Sequence, residues 1–126
     1  MQVNIKIANA SEIRRAFNKA PRLMDKELNT AMWRMGALVQ RESMQRTPVL
    51  TGRLRASHTL NVSGGGIGKT ATIQPTANYA IFVHDGTRFI QARPFLKEGA
   101  DDSMNDIQDG FVRAVQNVFD EIGRSV

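Results

Sequence analysis

The segment Ser63-Gly64-Gly65-Gly66-Ile67-Gly68-Lys69-Thr70 ends in Gly-Lys-Thr, the residue types that grip phosphate in nucleotide-binding loops. In such a loop the backbone N–H groups of a glycine-rich turn cradle the phosphates, and a following helix offers its N-terminus to the negative charge. Two requirements fail here. Ser63 stands where the pattern needs its first glycine, and Ala71 to Pro75 is too short and too β-branched to be that helix. The segment therefore reads as a hairpin tip suited to docking.

Other reactive groups are equally isolated. His58 and His84 lie in no nucleophile motif, the G-x-S-x-G elbow is absent, and no metal-binding partner sits at a matching spacing from His58. The sequence contains no cysteine, which removes thiolate nucleophiles, thiolate metal sites and disulfides. Paired carboxylates occur at Asp101 and Asp102 and at Asp106 and Asp109. Read as the opening of a helix, they complement its dipole, by roughly 0.3 to 1 kcal/mol each. These observations predict a protein without catalytic residues, cofactor or metal.

A long basic series, Arg14, Arg15, Lys19, Arg22, Lys26, Arg34, Arg41, Arg46, Arg53 and Arg55, makes nucleic-acid binding the alternative function. Aromatic residues do not interleave with it. Phe17 and Trp33 are the only rings before Tyr79, and their spacing against the helical apolar residues predicts core packing rather than base stacking. Contact with phosphate alone would be independent of base sequence and steeply salt-dependent.

The elements that must position these groups follow from periodicity. Val3, Ile5 and Ile7 alternate with polar residues, which predicts a short strand rather than the continuous apolar run of a secretory leader. Ser11 is the expected N-cap of a short helix that breaks near Ala20 and Pro21. Met24, Leu28, Ala31, Met32, Met35, Leu38 and Val39 then form the stripe of a long helix over 22–46, stopped by Thr47 and Pro48. Leu54 to Ser63 alternates as a strand with His58 on its apolar face, and Thr70 to Gln74 returns to make a hairpin. Met104, Ile107, Phe111, Val115, Val118 and Ile122 mark an amphipathic C-terminal helix, locally weakened by Gly99 and Gly110. The expected fold is α+β: one domain over residues 1–126, with a small antiparallel sheet packed by one long helix and a C-terminal helix.

With 41% apolar and 23% charged residues, the 126-residue chain has the composition of a folded domain, and no stretch approaches the run needed to span a bilayer. A cytosolic origin is the default expectation. Its net charge of +5 conceals a division: residues 1–97 carry 15 Lys and Arg against 5 acids, whereas residues 98–126 carry 2 against 7. A basic body bearing an acidic segment is suited to a head-to-tail contact between copies, with Asp101, Asp102, Asp106 and Asp109 as the interface candidates.

Two clusters remain that periodicity does not explain: Thr47-Pro48-Val49-Leu50-Thr51-Gly52-Arg53-Leu54-Arg55-Ala56-Ser57, and Tyr79-Ala80-Ile81-Phe82-Val83-His84-Asp85-Gly86-Thr87 followed by Ala92-Arg93-Pro94-Phe95-Leu96. In this order, after a long helix, they resemble the tail-component family of lambdoid siphophages, the neck or tail-completion proteins of the head-to-tail gene block. The resemblance spans about residues 22–122, and the matching positions are Pro48, Thr51, Gly52, Leu54 and Arg55, then Tyr79, Ala80, Val83, Gly86, Thr87, Arg93, Pro94, Phe95 and Leu96. It departs at His84, where the family often has an acid. Locally, Gly52 and Gly86 fit turns, Pro94 fits the first turn of the last helix, Phe95 and Leu96 anchor that helix, and Arg93 is a clamp for a carbonyl or a neighbour's carboxylate.

The resemblance implies a structural virion protein of the tail or neck, assembled in the bacterial host cytoplasm. Copies would form a ring, a hexamer or alternatively a dodecamer, joined to head-completion and tail proteins. DNA would pass through the lumen, and no membrane would be involved.

Overall fold

The computed structural model describes residues 1–7, 10–49 and 52–124. In chain order its elements are β1 (Val3–Lys6), α1 (Ala10–Lys19), α2 (Pro21–Arg46), α3 (Arg53–Ala56), β2 (His58–Ser63), β3 (Thr70–Pro75), α4 (Ala80–Asp85), α5 (Phe95–Asp102) and α6 (Met104–Arg124). The three strands form one antiparallel sheet in the order β1-β3-β2. The α+β expectation holds.

Alternation along the strands decides which face of the sheet is covered. Leu60 pairs with Ile73, Val62 with Ala71, and Ile5 with Ala71 from the other side, so the apolar residues share one face. On the opposite face Thr72 Oγ1 donates to Asn4 Oδ1 at 2.8 Å, and Thr59 Oγ1 to the Gln74 carbonyl at 3.1 Å, which leaves a polar surface. The β2–β3 ladder runs from His58 and Pro75 to Ser63 and Thr70, and a 3-10 turn at Gly66–Gly68 lies within its connection.

Helix α2 is the spine. Met24, Leu28, Met32, Met35, Val39 and Ser43 recur every three or four residues and are all buried. The core they form takes in Ile5 and Ile73 of the sheet, Phe95 and Leu96 of α5, and Phe111, Ala114 and Val118 of α6. Burying each of these large side chains stabilises by about 1.5–3 kcal/mol relative to leaving it in water. Crossing of α5 over α2 is close enough that glycine is needed: a Cβ at position 99 would lie 2.7 Å from the Ser43 nitrogen and 2.9 Å from its Cα. Gly99, expected only to weaken a helix, is thus the contact point of two.

Several expectations are corrected. Helix α1 begins at Ala10, so Ser11 lies inside it rather than capping it. Leu54 to Ala56 is a helical turn, not the start of the strand. Gly52, at φ 78°, accepts a bond from the Ala56 N–H at 3.0 Å, and Ser57 Oγ donates to the Leu54 carbonyl at 2.8 Å, so local bonds coil the chain before β2. The C-terminal helix is two helices, parted at Ser103, whose N–H bonds the Ala100 carbonyl and tightens the last turn of α5. Asp101 and Asp102 therefore end a helix, where their charge opposes the dipole, and only Asp106 lies in a first turn. Pro94 precedes α5 as its N-cap residue instead of standing within it. Met104 and Trp33, expected in the core, are exposed: Trp33 lies off the stripe that α2 buries, and Met104 is the first residue of α6.

Candidate functional site

The glycine loop lacks the arrangement of a phosphate-binding loop. Lys69 is buried, its Nζ 2.9 Å from Asp25 Oδ1 of α2, and the chain continues into β3 rather than a helix. His58 is equally committed. Its Nδ1 lies 3.0 Å from the Arg55 carbonyl and donates to it, which leaves Nε2 to accept from the Ser43 hydroxyl at 2.7 Å. Burial pushes the His58 pKa below its ordinary value, against smaller opposing effects from backbone groups of Arg55 and Leu54. Among the described residues no group of three or more His, Asp or Glu could hold a metal ion.

The first motif cluster ties the end of α2 to the start of β2. Thr47 ends α2, donating through Oγ1 to the Ser43 carbonyl at 2.7 Å, and Pro48 follows it. Leu54 is buried, and Arg55 Nη2 reaches the Thr47 carbonyl at 3.4 Å. Thr51 lies outside the described residues.

The second cluster packs beside the first. Arg53 sits over the Tyr79 ring, 6.0 Å from its centroid, and Phe95 takes the edges of two histidines, His58 at 5.5 Å and His84 at 5.2 Å. Ala80 is buried and Val83 half-buried, so α4 turns these two inward. His84, the departure from the family pattern, has a role: its Nε2 accepts the Lys97 N–H at 3.3 Å, satisfying an otherwise unbonded donor in the first turn of α5. Its Nδ1 then donates to Asp85 Oδ1 at 2.7 Å.

Between α4 and α5 the chain makes a closed loop. Gly86 has φ 79°, and a Cβ there would meet the Ala92 nitrogen at 2.7 Å and the Ile90 oxygen at 2.8 Å. Thr87 and Ile90 exchange backbone bonds of 2.8 and 3.3 Å, while Thr87 Oγ1 accepts the N–H groups of Phe89 and Ile90. The Arg93 N–H returns to the Val83 carbonyl at 3.0 Å, before Phe95 and Leu96 enter the core. The side chain of Arg93 is exposed and bonds no described residue.

This framework presents apolar groups to solvent. Phe89 is 88% exposed with the Arg88 guanidinium 5.4 Å from its ring centroid, and Ile81, Phe82 and Ile90 are exposed nearby in the sequence. Motif matching passed over all four. The available signal was a Phe-Ile pair in a turn-bounded loop, where large apolar residues have no core to enter.

The acidic segment divides. Asp102 pairs with Arg46 at the end of α2, and Arg46 also holds Glu42 at 2.6 Å, a contact that sets the Glu42 carboxyl below its usual range. Asp101 pairs with Lys97 at 2.7 Å and holds its pKa up. Asp106 and Asp109 have no ion-pair partner among the described residues. Both lie on a groove of about 260 Å³ between α2 and α6, with Ala31, Met35, Leu38 and Ala114 lining its apolar part.

The family model described as "Bacteriophage HK97-gp10, putative tail-component" matches residues 11–86, from α1 through α4 to the glycine that opens the loop. No curated protein and no solved structure shows a significant match.

Proposed function

Because the chain belongs to the HK97-gp10-like family of bacteriophage tail components, we propose that its copies form a ring at the head–tail junction, completing the tail or neck and leaving an axial passage for DNA. The observation that carries this reading is the pair of unsatisfied surfaces on one small fold. A closed loop exposes Phe89 to 88%, and α6, outside that loop, holds Asp106 and Asp109 with no ion-pair partner among the described residues. An exposed apolar tip on an otherwise well-packed fold marks a protein contact, and two unlike patches make a head-to-tail contact, which closes into a ring when the rotation between copies divides the circle. A hexamer is the expected ring and a dodecamer the alternative. Its neighbours would be head-completion and tail proteins, and its place the virion, after assembly in the host cytoplasm. No helix among the described residues is long and apolar enough to cross a membrane.

Loss of the chain from a producing lysate tests the reading at the level of the particle. Filled heads and separate tails should accumulate, unjoined, in electron micrographs. Joined, infectious particles in normal number would overturn it.

One observation favours nucleic-acid contact as a second reading. Arg14, Lys19, Arg22 and Lys26, on α1 and the first turns of α2, are exposed and have no ion-pair partner among the described residues. In a ring they suit a lumen that passes phosphate backbones, and in a free protein they would bind duplex. Anisotropy titration with random duplex separates the two. Tight binding by the unassembled chain that falls steeply with salt supports the free binder, and its absence near 50 mM salt removes that reading.

A further inference from the structure

We infer that the loop over residues 87–93 is the knob of the contact between copies, and that the groove between α2 and α6 of the next copy is its socket. The inference rests on the ring reading above and names the surfaces that would build it.

Three features of the loop fit it for insertion. It is pre-shaped, since Gly86, the paired backbone bonds of Thr87 and Ile90 and the return bond from Arg93 to Val83 fix its path without help from a partner. Little ordering entropy then opposes docking. Its tip is an aromatic ring with almost no cover, and a phenyl held in water loses the benefit of burial that any partner surface would restore. Its flanks are cationic: Arg88 stacks on the Phe89 ring, and Arg93 extends into solvent.

The groove offers the complement. Its lining belongs to α2 and α6 alone, so no residue of the loop or of α4 helps to build it, and one copy can use both surfaces at once. Gly110 leaves it open, because a Cβ there would press on Met35 Sδ at 2.8 Å. At about 260 Å³ it has room for one aromatic side chain over Met35 and Leu38. Asp106 and Asp109 stand on it with no ion-pair partner among the described residues, and Glu27 beside them accepts from Asn117 at 3.4 Å. Arg34 and Arg113 also line it, so its charge is mixed with acids in excess by one. The two arginines of the loop face a site of opposite net sign. Charge of this kind fixes register and suppresses wrong pairings, and the buried ring supplies the anchor.

The occupant is therefore a second copy of this chain. The Phe89 tip enters the groove while Arg88 and Arg93 meet Asp106 and Asp109. Each copy gives a loop to one neighbour and a groove to the other.

Sedimentation velocity on the purified full chain at low salt, over a wide range of concentration, tests this with four proteins. The wild type should associate. Phe89→Ser, a change at an exposed position, should keep the circular-dichroism spectrum and weaken association at least tenfold, as expected of an anchor residue. A loop reversal (Arg88→Asp with Arg93→Asp) and a groove reversal (Asp106→Arg with Asp109→Arg) should each associate poorly alone. An equal mixture of the two reversed proteins should recover association, because every loop then finds a groove of opposite sign. A wild type that associates alongside variants that associate as well as it does would overturn the knob and socket and leave the ring reading standing. A wild type that stays monomeric throughout would overturn the ring reading and this inference with it.

Discussion

The loop that follows α4 lies a few residues before α5, whose crossing with α2 uses its polar groups in the opposite way. At the crossing the polar side chains bond within the chain: Ser43 with His58, Thr47 with the Ser43 carbonyl, Arg46 with Glu42 and Asp102, and Ser103 with the Gly99 carbonyl. Around the loop the backbone is equally well bonded, but the side chains of Phe89, Ile90 and Arg93 are left facing solvent. The contrast separates two jobs. Where side chains satisfy one another, the segment holds the fold, and where only the backbone is satisfied, the side chains are left for the contact between copies proposed above.

Substitutions break this contrast most sharply at the crossing. Gly99→Ala gains about 1 kcal/mol of helix propensity. It also places a methyl group against the Ser43 backbone, which cannot swing aside as a side chain could, so urea unfolding should show a net loss of about 2 kcal/mol. Ser43→Ala leaves the His58 Nε2 buried without its donor and should cost about 2 kcal/mol in the same assay.

His58 adds a dependence on pH. Its folded pKa lies below the unfolded value of about 6.5, so its contribution is complete above that value. As pH falls from there toward the depressed folded pKa, the unfolded chain takes up a proton that the folded chain refuses, and stability declines. Thermal midpoints measured between pH 8 and pH 5 should fall with acid, and His58→Phe, though less stable at pH 8, should give a flatter profile. His84→Ala removes the acceptor for the Lys97 N–H and should cost about 1 kcal/mol, the usual scale for a lost helix cap. Smallest of all, Phe89→Ser should leave the unfolding free energy within about 0.5 kcal/mol of wild type, since the ring touches little of its own chain.

Much of the frame could be read from residue order. The α2 stripe, the alternation in β1 and β3 and the stop at Thr47 are local patterns, and the structure repeats them. What escaped depended either on local backbone geometry that alternation does not reveal or on contacts between distant segments. Leu54 and Ala56 fit a strand by alternation, but the left-handed Gly52 and the Ser57 hydroxyl coil them into a helical turn. Gly99 looked like a weak point until α2 lay 2.7 Å from where its Cβ would be. The acidic segment looked uniform in sequence, but folding assigns Asp102 to Arg46 and Asp101 to Lys97 and leaves Asp106 and Asp109. Among the motif residues, Val83 and Gly86 close the loop that carries Phe89, a residue no pattern named.

That the chain works as a ring of identical copies is tested most directly by class averages of the purified full-length protein, imaged at the concentration where it associates. The account predicts closed rings of a single symmetry with a central opening. Particles of monomer mass at every concentration, or open chains without closure, would contradict it.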